Sequence, residues 1–184
     1  MQIILASASP RRREILKQYN IDFIIDVSDV DESHPRMSPD NLVKELSLRK
    51  ATAVAKKHPN DIVIGADTVV SIDGEILEKP RDDEDAFAMI NRIQGGRHQV
   101  YTGVTIISLD STVTLAEKTD VYVKPLTREE IRDYIRTGEG RDKAGSYAIQ
   151  GMFGKYIDRY DGDYENVVGL PGKRVISEIN KIRE

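Results

Sequence analysis

Short apolar runs alternate along this chain with longer segments in which apolar residues recur at helical spacing. The short runs predict strands, whereas apolar positions three and four residues apart predict helices with one face against a core. The predicted strands cover residues 3–6, 21–25, 62–65, 69–72, 75–77, 98–108, 112–123 and a β-rich stretch at 156–168. The predicted helices run from about 10 to 19, 39 to 58, 82 to 93 and 127 to 138, with an amphipathic helix around 175–182.

Local signals mark where several of these elements begin or turn. Ser9-Pro10 and Ser38-Pro39 each supply an N-cap followed by proline at the first helical position. Asp73-Gly74 has the chemistry of a two-residue hairpin turn. Because helices interleave with strands while the hairpin makes one pair antiparallel, we expect a mixed α/β sheet flanked by helices, in one domain over residues 1–184.

Composition and charge exclude several classes of protein. The 184 residues include no cysteine, which rules out a disulfide framework, a thiolate nucleophile and Cys-ligated zinc. The net charge of −4 argues against broad binding to a nucleic-acid backbone. No stretch approaches the ~20 apolar residues that span a bilayer, and Met1-Gln2 precedes an apolar run without a basic leader. We therefore expect a soluble cytoplasmic protein with neither nucleic-acid nor membrane partners.

Three arginines, Arg11, Arg12 and Arg13, open the first predicted helix. A helix N-terminus already carries partial positive charge and free N–H groups, so cations are unfavourable there unless an anion is bound. Successive helical residues point about 100° apart, so we expect Arg11 and Arg12 to face the anion and Arg13 to face solvent. A solvated basic patch is an equally weighted alternative.

Asp67 is a lone carboxylate inside the apolar segment 62–72. A buried ionised group costs several kcal/mol unless it is paired or bound to metal, and the alternative is a turn in which Asp67 bonds local backbone N–H groups. Counting the hairpin register back from Asp73-Gly74 places Lys79 opposite Thr68 and therefore beside Asp67. This grouping of polar side chains favours a functional site.

Two further segments carry polar groups without helix or strand patterning. Residues 138–151 contain four glycines and could present Asp142, Lys143 and Gln150 to a ligand, although a flexible surface loop explains the composition equally well. The acidic stretch 29–32 offers oxygen ligands for a hard cation such as Mg²⁺, but a solvated turn is the favoured interpretation. With no motif for a covalent nucleophile, this inventory suits metal-assisted attack of water on a phosphate ester or anhydride.

Taken in order, these motifs resemble the Maf family of nucleoside triphosphate pyrophosphatases along nearly the whole chain. Each motif alone is weak, but all of them in this order make a specific match. The matching segments are LASASPRR (5–12), DE (31–32), GADT (65–68), LEKP (77–80), HQVYTG (98–103), DKAGSY (142–147), IQG (149–151) and NVVGLP (166–171). The resemblance implies an α/β fold like that of inosine triphosphatases, with an elongated mixed sheet, two lobes, a central cleft and commonly a homodimer.

The resemblance also implies an activity and the residues that perform it. Family members cleave a nucleoside triphosphate between the α and β phosphates, giving the monophosphate and pyrophosphate, with a divalent cation such as Mg²⁺ or Mn²⁺. Asp67 would be the proton acceptor or metal-linked residue, and Glu32 would be a second metal ligand. The implied substrate-binding residues are Ser7, Arg12, Lys50, Lys79, Asp142 and Lys143. Nothing in the local sequence distinguishes Lys50 from neighbouring lysines.

Three positions that separate branches of the family hold Arg11, Thr68 and Gln150. This combination implies the branch acting on dTTP and UTP, not the branch acting on 7-methyl-GTP, with 5-methyl-UTP and pseudo-UTP as further candidate substrates. Gln and Arg side chains can both hydrogen-bond a pyrimidine carbonyl edge. Two other functions stay open: a nucleotide-binding regulator of septum formation with incidental hydrolysis, and a general phosphomonoesterase.

Overall fold

The structure, a computed structural model, describes residues 1–183. In chain order, its elements are β1 (Ile3–Leu5), α1 (Pro10–Gln18), β2 (Ile24–Ile25), α2 (Pro39–Ala55), β3 (Ile62–Ile72), β4 (Glu75–Leu77), α3 (Asp83–Ile93), β5 (Arg97–Ile107), β6 (Thr112–Val123), α4 (Arg128–Arg136), β7 (Ile157–Asp161), α5 (Tyr164–Val168) and α6 (Gly172–Arg183). Two 3-10 helices, Ala144–Ser146 and Met152–Tyr156, lie between α4 and β7. The expected α/β class is confirmed.

The strands form a seven-stranded mixed sheet with the order β2-β1-β3-β5-β6-β7, to which β4 is added by pairing with β3. β1 is parallel to β2 and to β3, whereas the β3–β4 and β6–β7 pairs are antiparallel. The hairpin pairs Ile72 with Glu75 and Val70 with Leu77, as expected for a two-residue turn. Both turn residues, Asp73-Gly74, have positive φ, which is the backbone that favoured hairpin turns require.

Side-chain caps explain where three of the helices begin. Ser38 and Asp82 each accept the backbone N–H of the residue three positions later, at the starts of α2 and α3. Thr127 and Glu130 form a reciprocal capping box at the start of α4. These caps satisfy N–H groups that have no partner within the helix, so these three helix starts are confirmed. At the start of α1, Ser9 is the N-cap residue as predicted, but its side chain makes no capping hydrogen bond.

β2 is shorter than the sequence predicted, and β3 is longer. A strand was expected over 21–25, but β2 has only two residues, because the backbone N–H of Ile21 still bonds the carbonyl of Leu16 at 3.2 Å in the turn after α1. β3 runs without a break through Ala66-Asp67-Thr68, where the sequence predicted an interruption between two strands. Asp67 therefore lies inside a strand.

The stretch predicted as β-rich between 156 and 168 is strand in its first part only. β7 ends at Asp161, Gly162 takes a φ of +128°, and α5 follows. The Asp163 carboxylate accepts the backbone N–H of Glu165 at 2.8 Å, as in a helix N-cap. The strand prediction for the second part was wrong, because apolar residues in a short segment do not distinguish a buried strand from a buried helix.

The chain divides into two compact units. The first contains Met1–Thr68, Thr102–Glu117 and the described residues from Gly169 onward. Its apolar core includes Ile4, Ala6, Ala51, Val54 and Val63. The second contains Val69–Tyr101 and Lys118–Val168, with a contiguous ring cluster of His98, Tyr134, Tyr147, Phe153 and Tyr156. Within residues 1–183, no helix combines the length and apolar character needed to cross a membrane.

Candidate active site

Two strand glycines allow helix α2 to lie directly on the sheet in the first unit. A Cβ added to Gly65 of β3 would lie 2.5 Å from the Ser47 carbonyl oxygen, and one added to Gly103 of β5 would collide with the Val43 carbonyl. Glycine within a strand commonly marks such a close approach. Ser47 Oγ also lies 3.0 Å from Thr105 Oγ1, which fixes the helix against β5.

This close packing brings Lys50 of α2 against Asp67 of β3. The Lys50 ammonium lies 2.7 Å from Asp67 Oδ1, and the two side chains are only 13% and 10% exposed. The same ammonium lies 3.0 Å from Oε1 of Glu32, which is more exposed. A buried carboxylate needs such a partner, and Asp67 obtains it from α2 rather than from local N–H groups. The turn alternative is therefore wrong.

The position of Lys50 on α2 is a sequence signal that its charge alone does not give. The buried residues of α2 include positions 46, 47 and 54, each three or four residues from Lys50. Residues at that spacing share one face of a helix. Lysine is almost never buried without a partner, so a lysine within this apolar stripe indicated an acidic residue opposite α2.

Arg12 makes hydrogen bonds from all three guanidinium nitrogens at the start of α1. Nε donates to the Gly169 carbonyl at 2.8 Å, Nη1 to Ser7 Oγ at 3.0 Å, and Nη2 to Thr68 Oγ1 at 3.1 Å. Burial lowers the pKa of the Arg12 guanidinium from its usual value, and the negative charge of Asp67 opposes that shift. Arginine remains charged at neutral pH, so the site contains a fixed cation.

Thr68 is held from two sides. Its Oγ1 accepts a bond from Arg12 and lies 2.9 Å from Oγ1 of Thr102, a buried residue of β5. A hydroxyl has two acceptor lone pairs and one donor hydrogen, so these contacts define the Thr68 rotamer. Sequence reasoning assigned no role to Thr102 or Gly169, which are separated by many residues from the side chains they contact.

The other two arginines of α1 are both half-buried. Arg11 lies next to Arg12 in the chain, and its positive charge contributes to the lowered pKa of Arg12. Arg13 was expected in solvent, but its Nη2 donates to the Ala8 carbonyl at 2.5 Å. That expectation was wrong, because the Arg13 guanidinium bonds the backbone of the segment before α1 and its Nε is buried.

The acidic stretch separates into two roles. Asp31 accepts from the Ser33 backbone N–H at 2.8 Å and from the Ser33 hydroxyl at 2.6 Å, and these bonds lower the pKa of the Asp31 carboxyl. Asp31 therefore stabilises its own turn, as the favoured interpretation predicted. Glu32, its neighbour, instead pairs with Lys50.

The remaining expected site residues belong to the second unit. The predicted hairpin register is confirmed for the pairs from Ile72–Glu75 to Val70–Leu77. The ladder ends there, so the predicted pairing of Lys79 with Thr68 is not part of it. The backbone N–H of Gly145 donates to the Glu78 carbonyl at 3.1 Å. This bond ties the 138–151 segment to the chain immediately before Lys79.

The segment 138–151 is an ordered loop. Residues 145–149 are buried, which contradicts the flexible surface loop considered as an alternative. Lys143 Nζ donates to the Glu139 carbonyl at 2.9 Å and to Asp142 Oδ1 at 2.8 Å. Gln150 is exposed. The loop therefore combines a buried, hydrogen-bonded backbone with polar side chains that reach the surface.

His98 connects this loop to β5. It is fully buried, and its Nε2 lies 2.6 Å from the Tyr147 hydroxyl, whereas Nδ1 is buried without a hydrogen-bond partner among the described residues. Burial lowers the pKa of the His98 imidazole to about 4, and the Asp120 carboxylate opposes the shift. The folded protein therefore holds His98 neutral.

We expect this buried histidine to make the protein less stable in mild acid. Because the folded-state pKa lies below the unfolded value of about 6.5, the unfolded chain binds more protons between those values. The free energy of unfolding then falls as pH drops from 6.5 towards 4. Between pH 7 and pH 5, the free energy of unfolding should fall by about 2 kcal/mol more in the wild-type protein than in His98→Gln. Urea unfolding at the two pH values measures this difference. Equal losses in both proteins would contradict the prediction.

Glu32 and Asp67 fit the donor set of a divalent cation that arrives with a phosphate ligand. Within residues 1–183, no group of three or more His, Asp or Glu side chains is arranged to hold a metal ion by itself. Mg²⁺ in nucleotide enzymes is usually bound by one or two carboxylates together with substrate phosphates and waters. Two carboxylates that share the Lys50 ammonium match that pattern.

Comparison with known proteins gives a family match and sequence relatives over nearly the whole chain, and a structural match over part of it. A family model for Maf-like protein matches residues 2–182. The dTTP/UTP pyrophosphatase of Geobacillus sp. (strain WCH70) is 48% identical over 182 residues, covering 98% of each chain. The dTTP/UTP pyrophosphatase of Symbiobacterium thermophilum is 48% identical over 181 residues, covering 98% of this chain and 93% of the relative. The solved structure of the Staphylococcus aureus Ham1 protein matches with 17% identity and a TM-score of 0.48, covering 67% of this chain and 72% of that chain.

Proposed function

This chain belongs to the Maf family, and on that premise we propose that it hydrolyses dTTP and UTP to the nucleoside monophosphate and pyrophosphate. The names of relatives that share 48% of its residues over nearly the full length support the proposal. The structural observation that carries it is the buried pair of Lys50 and Asp67, 2.7 Å apart in the same unit as Arg12. The modified nucleotides 5-methyl-UTP and pseudo-UTP are further candidate substrates.

Ser7 and Arg12 bind phosphate oxygens at the start of α1 in this proposal. The first N–H groups of a helix attract anions, and Arg12 adds a permanent positive charge. Because Nε of Arg12 is committed to the Gly169 carbonyl, the guanidinium has a defined plane. Its two Nη groups, which now bond Ser7 and Thr68, present donors suited to phosphate oxygens.

Asp67 accepts a proton from the attacking water. Lys50 donates a hydrogen bond to Oδ1, so we assign the other oxygen, Oδ2, as the proton acceptor. The water oxygen forms a bond to the α-phosphorus, the bond from that phosphorus to the bridging oxygen breaks, and pyrophosphate leaves. A positioned general base of this kind contributes roughly 10²–10⁴-fold to the rate.

Glu32 and Asp67 would hold the divalent cation, Mg²⁺ or Mn²⁺. When bound, such a cation neutralises phosphate charge and polarises the reacting phosphoryl group. Lys50 lies between the two carboxylates and balances their charge in the structure. The chain therefore supplies both the oxygen ligands and a cation that limits their mutual repulsion.

The family resemblance supports further binding groups in this proposal. Lys79, Asp142 and Lys143 contribute charged groups for the triphosphate and its cation. Arg11, Thr68 and Gln150 select the base, since an amide side chain offers both a donor and an acceptor to a pyrimidine edge. The exposure of Gln150 is compatible with this role.

We also propose that the protein works in the cytoplasm as a homodimer of single-domain chains. The family resemblance supports this proposal. Exposed Ile24 and Ile25 on the edge strand β2 offer apolar surface for association. Light scattering of the purified protein tests the oligomeric state directly.

Product analysis tests the proposed reaction. Purified protein is incubated with Mg²⁺ and, separately, with dTTP, UTP, CTP, GTP or ATP, and the products are separated and identified. We expect monophosphate and pyrophosphate from dTTP and UTP, and at least a tenfold slower release when EDTA replaces Mg²⁺. Orthophosphate as the first product would indicate a phosphomonoesterase, and pyrophosphate from a purine nucleotide would contradict the assigned selectivity.

A further inference from the structure

Glu139 is the second residue of the loop 138–151, which carries Asp142, Lys143 and Gln150. Its Oε2 accepts the Tyr134 hydroxyl at 2.8 Å, and its Oε1 accepts the Met152 backbone N–H at 2.9 Å. Its backbone carbonyl accepts the Lys143 ammonium at 2.9 Å. One residue therefore bonds helix α4, the far end of the loop and one of the proposed binding side chains.

Tyr134 extends this arrangement into the buried part of the loop. Its hydroxyl donates to Glu139 and accepts the Ala148 backbone N–H at 3.3 Å. Burial raises the pKa of the Tyr134 phenol, and the bond to the Glu139 carboxylate raises it further. The phenol therefore remains a hydrogen-bond donor to the carboxylate at neutral pH. Its ring packs against Phe153, with the ring centroids 5.0 Å apart.

The backbone beside Gln150 lies directly against the Glu139 carboxylate. A Cβ added to Gly151 would overlap that carboxylate, so a side chain at this position would displace the carboxylate from its present place. The next residue, Met152, donates its N–H to the same group. Glu139 thus holds the Gly151–Met152 peptide, one residue beyond Gln150, and the direction of the Gln150 side chain depends on the backbone held there.

We propose that Glu139 is a positioning residue for pyrimidine selectivity, which acts by holding Gln150 and Lys143 in a fixed orientation. This inference rests on the function proposed above. An ionised carboxylate accepts hydrogen bonds on both oxygens, and bonds to a charged acceptor are stronger than neutral ones. Glu139 is therefore suited to hold donors from two directions, although it does not itself contact the nucleotide.

Kinetics on two pyrimidine nucleotides tests the positioning role. In Glu139→Ala, we expect kcat/KM for UTP to fall roughly tenfold to a hundredfold, mainly through KM, because two bonds to a charged group are lost. The ratio of kcat/KM for UTP to kcat/KM for CTP should fall as well. Glu139→Gln keeps one acceptor oxygen and should lose less, and Glu129→Gln, an exposed position on α4, serves as the matched control.

A second mutation separates positioning from general destabilisation. If Glu139 acts through Gln150, then Glu139→Ala should change selectivity little in a Gln150→Ala background, since residues of one network are not additive. Equal loss of kcat/KM for UTP and CTP, or full additivity of the two substitutions, would overturn the proposal.

Limited proteolysis supplies a readout that does not depend on hydrolysis. Trypsin cleaves after Arg141 and Lys143, both inside the loop. We expect cleavage there to be at least tenfold faster in Glu139→Ala than in wild type or Glu129→Gln, because a released loop opens more often. Unchanged cleavage would overturn the proposal. The two proposals can fail separately. If Glu139→Ala is cleaved faster but the wild-type protein releases no pyrophosphate, the proposed function is refuted and the holding role of Glu139 is retained.

Discussion

Replacing Asp67 with Asn should lower kcat for UTP roughly 10²–10⁴-fold, with little change in KM. Asn has the same size and its oxygen still accepts from Lys50, but it cannot take a proton from water. The effect therefore falls on the chemical step. Steady-state release of pyrophosphate from UTP measures it, with Asp110→Asn, an exposed substitution in the same unit, as the matched control.

The folded state of the Asp67→Asn protein has to be verified in the same experiment. The substitution leaves the buried Lys50 ammonium with Glu32 as its remaining carboxylate partner, and Glu32 is 57% exposed. Some loss of stability is expected, because removing one member of a buried pair leaves the other charge undercompensated. A folded variant with near wild-type turnover would remove Asp67 from the role of base. If the folded Asp67→Asn protein is inactive but still arrests septum formation on overexpression, the regulator alternative would be favoured.

Replacing Arg12 with Lys should lower kcat/KM for UTP roughly 10²–10³-fold and reduce the free energy of unfolding by about 2–4 kcal/mol. The guanidinium donates in three directions, to Gly169, Ser7 and Thr68. A lysine ammonium is a single point donor and cannot reproduce this planar fork. The lost bonds leave buried acceptors unsatisfied and remove donors proposed to bind phosphate.

Arg13→Lys is the matched control for Arg12, because it makes the same chemical change one position later on α1. The Arg13 guanidinium donates to the Ala8 carbonyl and not to Ser7, Thr68 or Gly169, so we expect a loss of less than tenfold in kcat/KM. Kinetics and urea unfolding are measured for both variants. Equal losses in the two proteins would show that the Arg12 fork has no special role in substrate binding.

The elements best predicted from the sequence are those set by local chemistry. The caps at Ser38 and Thr127 and the hairpin turn at Asp73-Gly74 depend on hydrogen bonds and φ values within a few residues. Because those interactions are local, the sequence pattern indicates them, although the same Ser-Pro pattern at Ser9-Pro10 gives no side-chain cap. The segment 156–168 failed because its apolar residues fit a buried strand or a buried helix, and only packing distinguishes the two.

Within the candidate site, the charged residues could be predicted from the sequence more readily than the residues that they contact. Asp67 stood out because a carboxylate in an apolar run needs compensation. Lys50 entered only through the family resemblance, although its place on the buried face of α2 was a usable signal. Thr102 and Glu139 had no local signal, because each acts through contacts that form when distant segments pack.

The sequence by itself determined the α/β class, the family, the helix starts and the inventory of arginine, lysine and carboxylate side chains. Tertiary structure alone decided which of those charges meet. Lys50 reaches Asp67 because glycine at 65 and 103 lets α2 lie against β3 and β5. Arg12 takes its plane from a carbonyl 157 residues away. Such pairings depend on distances between folded segments, which local hydrogen bonding and periodicity do not encode.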